Sequence, residues 1–396
     1  MGSGTTLVET VKLGAKAIGR DINPVAYFLV KCALSVHDRK AILETFRAIE
    51  RDVADEIRSY YRCTLPDGRQ ADVLYFFWVM TVDCPSCATP VDLFASRIFS
   101  RHAYRKKVPQ AQAVCPHCGA INKVHVEARD AKCESCKRSF DPTVGPAKGQ
   151  SATCPLCNYV FPIAKTIRST GKPPAHRMYA KLVLLPDGSK AYQPITDEDL
   201  NLYTKAERAL AKRENPYPVV AIKPGYDTNQ ALGYNYRHWH EMFNARQLLC
   251  LSILADRIRD ISDPVLRDLF TCLFSGTLEF NNMFASYKGE GTGAVRHMFA
   301  HHILKPERVP LEANLWGTPK SSGSFSTMFE GRIRRALDYA DNPFELRVNK
   351  GGETEKVYGL SETIGTPVAE TYGVFAKGAR VYLSCGDSGS TDLPAA

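Results

Sequence analysis

The sequence predicts a mixed α/β protein: part of a doubly wound sheet, interrupted by a long insertion that holds two cysteine ribbons and a helical region. Three observations lead there. The chain opens on a glycine turn, "MGSGTT", followed by a short helix and a strand that ends on Asp21. Eight of its 13 cysteines fall into four Cys-x-x-Cys pairs between residues 84 and 157. Near the other end, "ARVYLSCGDS" reads as a buried strand over 380–385 running into a Gly-Asp turn.

Residues 5–14 suit a short helix closed by Gly14, and "AKAIGRD" the strand that follows. "NPVAYFLVKCAL" starts a second helix, with Pro24 fitted to its first turn. From Asp38 to Tyr61, Ile42, Phe46, Ile49, Val53 and Ile57 recur at helical spacing, which core packing explains. "CTLPDGRQADVLYFFWVMTV" changes the rhythm to β around a Pro-Asp-Gly turn, and "KLVLLPDGSKAYQPIT" repeats that hairpin signal after the cysteines. A charged helix is expected from Asp197 to Arg213, then a polar-aromatic loop, then helices from Trp239 onward. In "SDPVLRDLF" Asp263 is placed to cap the helix that Pro264 begins. One more short helix is expected over 328–340. The expected division is 1–62 (α/β), 63–175 (ribbons), 176–345 (hairpin plus helices) and 346–396 (return strand).

Paired cysteines in a chain with no visible secretion signal point to thiolate metal ligands in a reducing compartment, and so to a cytoplasmic protein, not to a disulfide framework. A Cys-x-x-Cys knuckle brings two thiolates to one ion, and two knuckles complete a closed tetrahedral Zn²⁺ site. Four pairs imply two structural Zn²⁺ ions on Cys84, Cys87, Cys115, Cys118, Cys133, Cys136, Cys154 and Cys157. Two pairings are open. The preferred one is nested: Cys115/Cys118 with Cys133/Cys136 across 14 residues, and Cys84/Cys87 with Cys154/Cys157 around them. The other is sequential. No apolar run reaches the ~18 residues of a membrane span. A formal charge of +9 leans toward polyanionic partners, and "SRHAYRKK" (100–107) is a loop suited to phosphates, though a solvated charge run explains it equally.

"GSGTT" has no lysine after its last glycine, so it is not a Walker A loop. It fits a turn whose glycines let backbone approach a nucleoside ligand at a helix N-terminus, with Asp21 at the next strand end to accept from ribose hydroxyls. The stretch from Met1 to "AIGRDINPVA" resembles the cofactor motif of amino-methylating DNA methyltransferases. With "YFFWVMTVDCPSC", "ATCPLCNYVFP", "GKPPAHRMYA", "GYNYRHWHEMFNARQLL", "EFNNMFASY" and "HHILKPERVPLEANLWG", nearly the whole chain resembles the zinc-ribbon-containing, adenine-specific DNA methylases of bacteria and archaea. The resemblance implies a Rossmann-like fold and S-adenosylmethionine as cofactor. Gly2, Gly4 and Thr5 would line its methionine portion, Asp21 its ribose, and Asp387 its adenine amine. DNA is the implied partner, with residues 176–345 as the target-recognition region. Trp239, Arg246 and Gln247 look like a family hallmark, read here as a buried Trp and a helix-capping polar pair.

One element of that family is missing. Such enzymes hold the extruded base with an Asp/Asn/Ser-Pro-Pro-aromatic loop, and no such tetrapeptide occurs among the 396 residues. "NPYP" (215–218) and "DNPF" (341–344) are the nearest strings. The expected reading is therefore an internal piece of a methyltransferase acting on adenine N6, with cytosine N4 open, inactive alone or completed by a second chain. Two alternatives remain. One is a non-catalytic zinc-ribbon DNA-binding or specificity protein. The other is a nicotinamide-dependent enzyme, against which the missing third glycine argues.

Overall fold

The computed structural model describes residues 1–291, 293–359, 365–387 and 389. The chain is mixed α/β and divides into two compact units, one built from Met1–Asp52, Arg257–Phe274 and Phe329–Ala396, the other from Val53–Asp256 and Ser275–Met328. Residues 257–274 and 329–345, expected with the helical region, thus group with the N-terminal segment.

In the first unit three parallel strands form a sheet in the order Ala17–Asp21, Val381–Cys385, Val368–Ala369. The expected return strand therefore pairs with the first strand, Ala17 opposite Val381 and Asp21 opposite Cys385. Helix Thr5–Lys12 buries Leu7 and Val11, and helix Pro24–Leu34 buries Val30 and Leu34, in one core with Val381 and Leu383. Gly19 permits this closeness. A Cβ there would come within 2.6 Å of Leu7 and 2.9 Å of Leu383. The helical run from Arg39 to Ser59 is real but carries a π turn over Glu50–Ala54. One wider turn shifts the later apolar residues in phase, so that Ile49, Val53 and Ile57 all stay buried.

The second unit is organised on an antiparallel sheet. Its long strand Gln70–Asp83 lies between Ala175–Leu184 and Leu311–Ala313, and Lys190–Pro194 forms the far edge. Arg62–Thr64 pairs with the beginning of the long strand and Pro90–Asp92 with its end. The two Pro-Asp-Gly hairpins read separately from sequence are thus neighbours in one sheet. Gly68 and Gly188 adopt φ of 85° and 80° at their tips, the left-handed conformation such turns require. Ser388 and residues 390–396, part of the turn expected after the last strand, lie outside the described residues.

A buried ion pair fastens helix Ala245–Arg259 to this sheet. Arg246 donates from Nε and Nη2 to the two carboxylate oxygens of Glu312, at 2.7 Å each, with both side chains fully buried. Glu312 also accepts from Trp78 Nε1 at 2.9 Å and Tyr61 OH at 3.2 Å, and the guanidinium lies 3.9 Å from the Phe76 ring centre. Burial works against the charge on Arg246, and Glu312 outweighs it, holding the guanidinium above its ordinary pKa. Gln247 closes the start of the same helix: its Oε1 accepts from Asn244 N at 3.0 Å, and Asn244 Oδ1 accepts from Gln247 N at 2.9 Å. The capping reading holds for Gln247. Arg246 instead bridges to the sheet, and Trp239, expected to be buried, is 37% exposed in a 3₁₀ turn.

Candidate functional site

The eight knuckle cysteines gather into two groups of four, Cys84/Cys87/Cys154/Cys157 and Cys115/Cys118/Cys133/Cys136, which is the nested arrangement. Each group's sulfurs all lie within 4.8 Å of one another. Facing pairs are 3.7 Å (Cys84–Cys157), 3.6 Å (Cys87–Cys154), 3.7 Å (Cys115–Cys136) and 3.6 Å (Cys118–Cys133). Four sulfurs ~2.3 Å from one tetrahedral ion would sit about 3.8 Å apart, so the donor type, number and spacing fit one metal ion per group.

All four knuckles share one backbone form. In each, the residue after the second cysteine is left-handed: Ala88 (φ 57°), Gly119 (74°), Lys137 (63°) and Asn158 (61°). Its N–H donates back to the first cysteine's carbonyl at 2.9–3.0 Å, and the first cysteine's own N–H donates to the carbonyl two positions past the second at 2.9 Å. The chain thereby reverses within six residues and turns both thiols to one side. This repeat is visible in sequence only at Gly119, because the other three positions carry residues that pay for the conformation. Ala88→Gly is therefore expected to stabilise the first cluster by about 0.5–1 kcal/mol, since relief of left-handed strain exceeds the added chain entropy. Thermal denaturation of the metal-loaded chain reads this out, and a lowered midpoint would contradict it.

The thiols within a group are electrostatically unequal. Thr89, chiefly, draws Cys87 down to about 6, whereas Cys157 is pushed up to about 11 by burial and by the neighbouring thiols against the pull of the Tyr159 amide. In the other group burial opposes ionisation of Cys133, yet the Cys136 and Ser135 amides carry it down to about 6, while burial lifts Cys115 to about 12. Neighbouring thiolates repel, and a bound cation removes that conflict. Such closed four-sulfur sites brace small cores. One cluster sits in a core with Met80, Val91, Ala152 and Phe161, the other with Ile98, Ala113, Val124 and Phe140.

The five candidate cofactor residues meet at the carboxyl end of the parallel sheet. Gly2 and Gly4 have φ of 57° and 82°, and Thr5 begins the first helix. Gly4 is also a packing requirement, because a Cβ there would lie 2.7 Å from Val30. Asp21 ends the adjoining strand and faces this turn. Its Oδ2 accepts from the Met1 ammonium at 2.7 Å and the Gly2 amide at 3.3 Å, and its Oδ1 from the Asn23 amide at 2.9 Å. The Met1 ammonium, with the Asn23 amide, holds the carboxyl down at about 2. Asp387 follows the neighbouring strand. Its carbonyl accepts from Arg20 Nε at 2.8 Å, and its carboxylate accepts from the Gly389 amide at 2.9 Å. Among the described residues no helix is long and apolar enough to cross a membrane. No protein-family model, curated protein or solved structure matches the chain.

Proposed function

We propose that this chain carries the cofactor turn, zinc ribbons and target-recognition region of an S-adenosylmethionine-dependent DNA methyltransferase acting on an exocyclic amine, adenine N6 first. The observation that carries the reading is the convergence of the Gly2–Gly4 turn on the Asp21 carboxylate at the carboxyl end of a parallel sheet, with Asp387 one strand away. Ligands of open α/β sheets bind outside that end, where glycine backbone and a helix N-terminus admit the ligand and an acidic residue accepts from ribose hydroxyls. The two four-cysteine groups support the ribbon half of the reading. Zn²⁺ suits four thiolates best and supplies bracing there, with no open position for chemistry.

Within this reading Asp21 orients the ribose, the Gly2 and Gly4 backbone lets the methionine portion lie close to the first helix, and Asp387 lies on the adenine side. Asp21 Oδ2 accepts from both the Met1 ammonium and the Gly2 amide, so it already points at the glycine turn where a ribose would lie. The amine-holding Pro-Pro-aromatic loop is absent from the sequence, so methyl transfer by the chain alone is not expected. Asp21→Ala should weaken S-adenosylmethionine binding roughly tenfold to a hundredfold, because two hydroxyls lose a charged acceptor. Ligand-observed NMR titration of the two proteins measures this. Equal affinity for both would overturn the cofactor assignment, whereas tritiated methyl transfer to DNA by the purified chain would uphold the methyltransferase reading and overturn only the expected inactivity.

A further inference from the structure

We propose that a strip of cationic hollows in the second unit, between the loop 100–107 and the hairpin Ser286–Arg296, grips the phosphodiester backbone of duplex DNA. The inference rests on the methyltransferase reading only in taking DNA as the polyanion. Three adjoining hollows, of about 290, 190 and 370 Å³, all include Arg101 in their walls. The first is lined by Arg101, His102, Arg105, Lys288 and Arg296, and no carboxylate lines it.

None of Arg101, Arg105, Lys288 and Arg296 has a carboxylate ion-pair partner among the described residues. Burial and the neighbouring Arg105 both push the Arg101 guanidinium below its ordinary pKa, so an approaching anion relieves a standing charge conflict. The one carboxylate in the second hollow, Glu290, is engaged by the Tyr192 hydroxyl at 2.8 Å and by Lys190 at 3.9 Å, and the one in the third, Glu127, is outnumbered there by Arg101, Arg105 and Lys106.

The frame of the strip is fixed. Ala103 N donates to Glu290 O at 2.9 Å, and Gly289 presses so close that a Cβ would lie 1.9 Å from the Arg101 carbonyl. Three contiguous hollows sharing one arginine, with exposed Tyr104 on the loop, suit a repeating anion better than a single small one. Phosphate contacts of this kind release counterions, and the salt dependence of binding reports how many are made.

The test is fluorescence anisotropy with the zinc-loaded full chain and a labelled DNA duplex of arbitrary sequence, over about 50–200 mM salt. Arg101→Gln/Arg105→Gln/Lys288→Gln should weaken binding at least about tenfold and flatten the log–log salt slope by about 2–3. Lys40→Gln/Lys350→Gln/Lys377→Gln, equal in charge and exposed in the other unit, should stay within about twofold of the parent. The double variant Arg105→Gln/Lys288→Gln, with both side chains exposed, guards against misfolding and should show a smaller loss in the same direction. The proposal is overturned if the parent chain does not bind duplex DNA at low salt or the strip variants bind as the parent does. It is also overturned if both triple variants lose equally, if duplex RNA binds more tightly, or if inorganic pyrophosphate displaces DNA stoichiometrically. DNA binding through the strip without S-adenosylmethionine binding would leave this inference standing and sink the cofactor assignment.

Discussion

Cys154→Ser is expected to release one of two zinc ions and to melt one ribbon while sparing the other. Each four-cysteine group is the centre of a small core that the thiols themselves help to form, so the metal term replaces apolar burial the ribbon lacks. Structural zinc contributes on the order of 10–16 kcal/mol to folding of such modules, comparable with the whole stability of a typical domain. Loss of the Cys154 ligand should therefore remove amide-exchange protection from residues 81–93 and 147–163, and leave 110–140 protected. Cys84→Ser should give the same map, because the two cysteines belong to one group. Zinc counted by a chromogenic chelator should fall from two per chain to one in both variants. A sequential pairing would instead make Cys84→Ser expose the segment around Cys115.

The second large effect concerns the buried Arg246–Glu312 pair. Arg246→Met leaves Glu312 buried without its cation, a loss of about 3–5 kcal/mol. Exposed pairs such as Arg334–Glu330 should cost less than about 1 kcal/mol when broken. Arg246→Met/Glu312→Leu removes both charges and should regain part of the loss. Recovery stays incomplete because Trp78 Nε1 and Tyr61 OH lose their acceptor, at about 1–3 kcal/mol for each buried orphan. Urea denaturation of the zinc-loaded proteins distinguishes the cases. A single variant as stable as the parent would show that the pair carries no structural weight.

The elements that sequence reasoning reached are those with a local signature. Helical spacing gave the run from Arg39, Asp263 gave a helix start, and Pro-Asp-Gly gave two hairpins. The cysteine groups were legible because thiolate chemistry tolerates few spacings, and the nested pairing preferred from the 14-residue gap is the one the structure shows. Three features left no local trace. The pairing of Gln70–Asp83 with both Ala175–Leu184 and Leu311–Ala313 joins segments about 100 to 240 residues apart, which no window of sequence reports. Glu312 lies in a short apolar stretch and becomes meaningful only when the fold brings Arg246 against it. The cationic strip was half legible: "SRHAYRKK" was visible, but the hairpin that contributes Lys288 and Arg296 was not.

Cofactor binding is tested most directly by a calorimetric titration of the zinc-loaded chain with S-adenosylmethionine, S-adenosylhomocysteine and NAD⁺ in parallel. Weak, saturable binding of both S-adenosyl ligands at one site is expected and none of NAD⁺, because the turn lacks the third glycine that the dinucleotide fingerprint uses to pack its helix close against the strand. Binding of NAD⁺ at least as tight as that of S-adenosylmethionine, or no binding of any of the three at millimolar concentration, would contradict this expectation.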